Sequence, residues 1–275
     1  MRARTRDRGV MKVIVVANQK GGCGKTTTAV NTAAALAMQG MRVLLVDLDS
    51  QGHSTLGLGY EPNRMEKTVY HCLTEPHTTF HEVAIETDIR GLLLAPSNIM
   101  LGTAEIDLQS QVGRELILGE KLRMVGDDYD FCVIDCAPPM TLLMINALVA
   151  GDYVIVTVQT HYYALDGLKR LMETIQITRK RFHPCAVKTL GLVLTFVEDR
   201  TRLSRQVQKQ MRAYFGALVM RSVIHRSIRL AEAPSAGQSI LTYAPESKGA
   251  LEYEALAREI MERIERIEDN ESKRP

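Results

Sequence analysis

The sequence is poor in the features that would mark it as secreted, membrane-spanning or strongly polyionic. Cysteine is scarce and odd in number: five in 275 residues is no disulfide framework and suits a reducing cytosol. No apolar run approaches membrane-spanning length; the longest, from Leu142 to Ala150, contains Asn146 and stops at Gly151-Asp152. The basic start, Met1-Arg-Ala-Arg-Thr-Arg-Asp-Arg8, is followed by too few apolar residues for a signal peptide and reads as a flexible tail over 1–10. A formal net charge of +2 is too small to predict a polyanion partner, so any such partner must be argued from local clustering. Three histidines, His71, His77 and His81, have no Cys, Asp or Glu at a familiar ligand spacing and read as solvated. Cys132 and Cys136 sit four residues apart on one strand, ~13 Å, too far to share a metal, and read as buried thiols.

What remains is an ordinary globular composition, 45% apolar and 24% charged, long enough for one large core. The informative stretch is Lys20-Gly21-Gly22-Cys23-Gly24-Lys25-Thr26-Thr27. Before it, Val13–Ala17 reads as a buried parallel strand; after it, Thr27–Met38 reads as a small-residue helix ended by Gly40. Glycines let the backbone curl with its N–H groups inward, and the helix start adds partial positive charge, which together make an anion site. Lys25 is placed to reach the β- and γ-phosphates of a nucleotide, and the Thr26 hydroxyl to ligate Mg²⁺. Val43–Val46 is a second buried strand that delivers Asp47 and Asp49 at its carboxyl end, where ligands of open α/β sheets sit. Phe131–Ile134 is a further strand ending in Asp135, placed to hold a water on Mg²⁺. Leu92–Ala95, Tyr153–Val158, Leu190–Val197 and Leu218–Ile224 complete seven expected strands.

The loop departs from the usual phosphate-loop pattern: Gln19 stands where its first glycine belongs, and Lys20 is an extra lysine. In this Lys-Gly-Gly-x-Gly-Lys-Thr form the chain resembles the ParA/MinD group of ATPases, with their deviant Walker A loop. The resemblance to the chromosome-type ParA/Soj partition ATPases runs from about Lys12 to Arg258. It implies a mostly parallel twisted α/β sheet with helices on both faces, as one P-loop NTPase domain over 11–268, with a flexible tail over 269–275. It implies ATP and Mg²⁺ as cofactors, with Lys20 to Thr27 as the nucleotide loop. Asp49, in Asp47-Leu-Asp49-Ser-Gln51-Gly52, resembles the residue that positions the attacking water, with Ser50 replacing the family's proline; Asp47 supports the metal's water shell. By the same resemblance Lys20 is expected to reach the partner's phosphates in an ATP-bound homodimer. Cys136-Ala-Pro138-Pro139 resembles, with a shift, the family's Asp-x-Pro-Pro-Ser turn, and Gln159–Gly167 the stretch that leads into its dimer-facing helix. His225-Arg226-Ser227 stands where the family has Pro-Arg-Asn near the adenine, so base contacts are expected to differ. No guanine-reading Asn/Thr-Lys-x-Asp pattern occurs.

A second constellation is basic. Twelve cations fall between Arg179 and Arg229, opposed within that span only by Glu198 and Asp199. Few aromatics are interleaved, which suits phosphate contacts to a duplex without base readout. Asp199-Arg200-Thr201 and Ile228-Arg229-Leu-Ala-Glu232-Ala-Pro234-Ser235 resemble segments with DNA-binding arginines, which carries over Arg200 and Arg229; Arg202, Arg205, Lys209 and Arg226 are added on charge alone. The family reading is an ATP-dependent, non-specific DNA-binding dimer, cytoplasmic and nucleoid-associated. Its slow hydrolysis is stimulated by a ParB-like partner. No room for a helix-turn-helix precedes Lys12, so operator-specific repression is not expected. A ParA-like ATPase that positions another cytoplasmic cargo, a MinD-like membrane ATPase and a metallocluster reductase remain as alternatives. The last helix, Ser247–Ile267, has a glutamate-rich polar face and no Trp or Phe on its apolar stripe of Leu256, Ile260, Ile264 and Ile267, and is expected to dock on the protein rather than a membrane.

Overall fold

Consecutive residues of the first strand are buried on opposite faces of one sheet. Val13, Val15 and Ala17 belong to one apolar cluster, Ile14 and Val16 to the other. A strand covered on both faces must be apolar throughout, which is why these strands read as continuous runs rather than alternations. The computed structural model describes residues 10–138, 140–161, 164–182 and 185–273. Its strands are β1 (Lys12–Ala17), β2 (Val43–Leu48), β3 (Ile85–Glu86), β4 (Leu92–Ala95), β5 (Phe131–Cys136), β6 (Tyr153–Gln159), β7 (Lys188–Val197) and β8 (Val219–His225). They form one sheet in the order β3-β4-β2-β5-β1-β6-β7-β8, parallel except for β3 against β4. The parallel strands therefore all present their carboxyl ends at one edge, with β1 in the middle.

One face is covered by the first helix, Lys25–Met38, and the last, Lys248–Ser272; the other by Leu142–Ala150, Ala164–Arg181 and Arg202–Phe215. Ala33, Ala34 and Ala35 are buried, and side chains this small bring the first helix close to the sheet. The last helix buries Tyr253, Leu256, Ala257, Ile260 and Ile264 against this face, and Tyr253 Oη meets Thr28 Oγ1 of the first helix at 3.3 Å. It docks on the protein, and no described helix is long and apolar enough to cross a membrane. The helix continues through Ser272, beyond the point where its apolar stripe ends. Lys188 Nζ holds Glu271 at 2.5 Å, and Lys12 pairs with Glu268.

Several local expectations change. The two-residue β3 is too short to leave a periodicity, and pairs Ile85 with Leu94. Between Val112 and Val125, whose spacing of apolar residues suits an amphipathic helix, the chain is helical only from Ile117 to Arg123, because Gly113 sits at φ 73 and turns the chain first. The Arg202–Phe215 helix carries Leu203, Val207, Met211 and Tyr214 at helical spacing, but buries only Val207 and Met211 of these, with Leu203 and Tyr214 exposed. Of the histidines, His71 Nδ1 accepts the Thr68 N–H at 3.1 Å and closes a helix cap; His81 meets Asp128 at 2.7 Å. Cys132 and Cys136 are both buried, and burial pushes both thiols up, so they stay protonated.

Candidate nucleotide site

From the end of β1 the chain enters a loop that its own side chains fasten. Asn18 Nδ2 donates to the Thr157 carbonyl of β6 at 2.5 Å, and Asn18 Oδ1 accepts the Lys20 N–H at 3.0 Å. Cys23 is buried under the loop, its Sγ 3.1 Å from the Lys20 carbonyl and 3.2 Å from Thr157 Oγ1. Thr195 Oγ1 of β7 donates to the Cys23 carbonyl at 2.9 Å, so three strands hold the loop. Gly22 and Gly24 take φ 69 and φ 83, left-handed values open to glycine, and Gly24 leads into the first helix. Lys25 is buried, with Nζ 3.2 Å from the Lys20 carbonyl, folded back over the loop it starts from. Lys20 is exposed, and its ammonium has no partner among the described residues.

The acidic residues arrive from neighbouring strands. β2 and β5 pair in a register that sets Asp47 directly beside Asp135. Both are fully buried. Asp47 Oδ2 accepts from the Thr55 N–H at 2.8 Å and the Thr55 hydroxyl at 2.7 Å, and Oδ1 from the Asp49 N–H at 3.3 Å. Both Asp47 oxygens thus fasten the segment that follows β2. Asp135 is different. Ser54 Oγ donates to its Oδ2 at 2.8 Å, while Oδ1 is buried with no partner. Burial first, and then the neighbouring Asp135 charge, pushes the Asp47 carboxyl well above the ordinary range. Burial likewise raises Asp135, against the pull of the Thr26 and Ser54 hydroxyls. A partnerless carboxylate oxygen beside a threonine hydroxyl, in a pair that resists ionising together, is a donor set that fits one hard divalent cation with several waters. Thr26 and Asp135 would hold it.

Asp49 stands at the mouth. Its Oδ1 accepts the Gln51 N–H at 3.0 Å, and it lines a cavity of about 710 Å³ with Gly21, Gly22, Gly24, Lys25, Thr26 and Thr27. The predicted loop residues, Asp49 and the Asp135 oxygen are thus brought to one place. Pro139 of the Cys136-Ala-Pro138-Pro139 turn lies outside the described residues, as do residues 1–9 of the expected tail and part of the Gln159–Gly167 stretch.

A second cavity, of about 480 Å³, adjoins the loop through Gly24 and Thr27, with Phe196, Ile224, Leu230 and Tyr253 among its apolar walls. His225, Arg226 and Ser227, expected near the base, line it. His225 is clamped: Nδ1 meets Glu252 at 2.5 Å, Nε2 meets Asp199 at 2.8 Å, and its N–H donates to Glu252 at 2.9 Å. Phe196 was not legible beforehand. It is the one non-glycine residue among those described with positive φ, 51, and its ring lies 3.5 Å from where a Gly24 Cβ would stand. A bulky residue held there is strained, and strain of this kind gathers where a chain is shaped around a ligand.

The six predicted DNA residues all follow the carboxyl ends of β7 and β8, the edge that also carries the nucleotide loop. Arg202, Arg205 and Lys209 fall at i, i+3 and i+7 on one helix face. Arg205 donates to the Asp199 carbonyl at 2.7 Å, Arg226 pairs with Glu198 at 3.0 Å and Arg229 with Glu232 at 3.2 Å. Arg200, Arg202 and Lys209 have no partner among the described residues. The segment as a whole is less one-sided than its sequence. The last helix brings Glu259 and Glu262 to Arg221, and Glu271 to Lys188.

Comparison with known proteins decides the family. Residues 11–186 match the model of an AAA domain. The chain is 43% identical to the sporulation initiation inhibitor protein Soj of Bacillus subtilis over 249 residues, 90% of this chain and 98% of that one. It is 44% identical to the chromosome-partitioning ATPase Soj of Thermus thermophilus over 259 residues, 94% of this chain and 98% of that one. The chain belongs to the ParA/Soj family of P-loop ATPases. Among solved structures, this ParA/Soj-family chain is similar to the cobyrinic acid a,c-diamide synthase of Mycobacterium smegmatis, with a TM-score of 0.79 at 36% identity. That match covers 90% of this chain and 93% of the other, which was crystallised with an ATP analogue and magnesium.

Proposed function

We propose that this protein is an ATP-driven switch: with ATP–Mg²⁺ two copies close face to face and hold duplex DNA without sequence preference, and hydrolysis releases it. One observation carries the reading. A single sheet edge bears the nucleotide loop, Asp49 and the basic loops after β7 and β8, and β7 touches both: Thr195 and Phe196 against the loop, Arg200 a few residues on. A change at the phosphates therefore has a short route to the basic surface: one hydrogen bond and one ring contact into β7, then a few residues of backbone. The supporting likeness is to proteins named for chromosome partitioning.

In this mechanism the N–H groups of Gly21 to Gly24 and the first-helix start receive the phosphates, with Lys25 folded among them. Mg²⁺, when bound, would supply positive charge to the phosphates. Thr26 and Asp135 would hold it, and Asp47 keeps the Asp49 segment in place through Thr55. Asp49 orients a water for in-line attack on the γ-phosphate. The ammonium of Lys20 is exposed and without a partner among the described residues, free to serve a second copy's phosphates. Hydrolysis by such a site is slow alone, and a ParB-like protein is the expected accelerator.

The test is mass in solution. Asp49→Ala with ATP–Mg²⁺ is expected to run as a dimer by light scattering, and wild type with ADP as a monomer. Asp49→Ala that also carries Lys20→Ala is expected to stay monomeric with ATP. A mass that ignores the nucleotide contradicts the switch.

A further inference from the structure

At the sheet edge opposite the nucleotide loop, four arginines from three elements surround one cavity of about 430 Å³. Arg212 comes from the Arg202–Phe215 helix, Arg221 from β8, and Arg263 and Arg266 from the last helix; Leu190 and Ile267 line it with apolar surface. Gly216, at φ 54, ends the first of these helices and leaves open space where a side chain would stand.

The four guanidiniums are not equivalent. Arg263 is structural: it lies 2.9 Å from Glu259 and donates to the Leu190 and Val219 carbonyls at 3.1 Å each. Arg221 pairs with Glu262. Arg212 is held only through the Met220 carbonyl at 3.2 Å, which leaves its charge unmatched, and Arg266 has no partner among the described residues. Two uncompensated guanidiniums thus share a pocket that already has two neutralised ones and an apolar wall. A phosphate monoester carries about two negative charges, and the guanidinium fork matches its oxygens in pairs. The volume lies in the range of small-molecule sites.

We propose that this cavity binds a small phosphorylated ligand, its phosphate taken by Arg212 and Arg266 and its apolar or planar body laid against Leu190 and Ile267. The cavity stands apart from the DNA residues proposed above, which follow the carboxyl ends of β7 and β8, whereas Leu190 and Val219 lie near the amino ends of those strands.

The test is calorimetric titration of the full chain, its nucleotide loop saturated with ADP–Mg²⁺, with inorganic phosphate, uridine 5′-monophosphate and uridine. The expected result is one-to-one binding of the monophosphate, at least tenfold tighter than uridine. Arg212→Ala and Arg266→Ala should each weaken it at least tenfold, with thermal midpoint and ADP affinity unchanged. The proposal is overturned if neither phosphate nor the monophosphate binds, or if both variants bind as wild type does. It is equally overturned if a short DNA duplex displaces the monophosphate, since the arginines would then belong to the nucleic-acid surface.

Discussion

Lys20→Ala is expected to lower ATP turnover about a thousandfold, the low end of what a cation supplied in trans contributes to phosphoryl transfer, while ATP binding to the single subunit is retained. The proposal gives the two lysines of the loop different roles. Lys25 is buried and folded over the loop carbonyl, as a lysine serving the phosphates of its own subunit would be. Lys20 is exposed and contributes only backbone groups, its N–H to Asn18 and its carbonyl to Cys23 and Lys25, so its removal leaves the loop's fastenings in place. Phosphate release measured beside binding of a fluorescent ATP analogue separates the two roles. Unchanged turnover in Lys20→Ala would remove the face-to-face arrangement, whereas lost binding would make Lys20 part of the local phosphate cradle.

The largest stability effect is expected at Glu259, far from the chemistry. This carboxylate is 2% exposed, and accepts the Arg221 and Ser222 N–H groups of β8 at 2.8 Å each and both faces of the Arg263 fork, at 3.1 and 2.9 Å. β8 is the last strand of the sheet, and Glu259, with Glu252 at the His225 N–H, gives its backbone donors partners where no further strand lies. Removing one partner leaves the Arg263 charge and two N–H groups uncompensated, so Glu259→Ala should cost about 3–5 kcal/mol in denaturant unfolding. Burial raises the Glu259 carboxyl, but the β8 N–H groups and Arg263 outweigh it and hold the pKa below the ordinary glutamate value. A depressed carboxyl adds stability above the unfolded-state pKa and loses it as pH falls through the folded one. The gap between wild type and Glu259→Gln should therefore shrink as the solution is acidified below the ordinary glutamate range. A constant gap would mean the carboxylate's charge is not what holds β8.

Much of the nucleotide site was legible because it is local in sequence. A buried run, three glycines, a lysine and a threonine specify strand, loop and helix within about thirty residues, and two further runs end in aspartates. What escaped was the part made by contacts between distant segments. That Thr55 would occupy Asp47, and Ser54 one oxygen of Asp135, depends on where a five-residue helix turns after Gly52 at φ 62. Phe196 reads as an ordinary end to β7, yet its backbone is bent against the loop. The basic segment looked nearly unopposed because the glutamates that meet it lie some forty to eighty residues later on the last helix. The helix start at Ile117, rather than Val112, turned on the conformation of Gly113.

The central claim is that nucleotide state governs a DNA-binding face. The measurement that meets it most directly is binding of random-sequence duplex DNA with ATP, ADP or no nucleotide, over a salt series. Binding is predicted with ATP only, weakening as salt rises, kept in Asp49→Ala and lost in Lys20→Ala and Arg229→Ala. DNA binding of equal strength in all three nucleotide conditions would contradict the account.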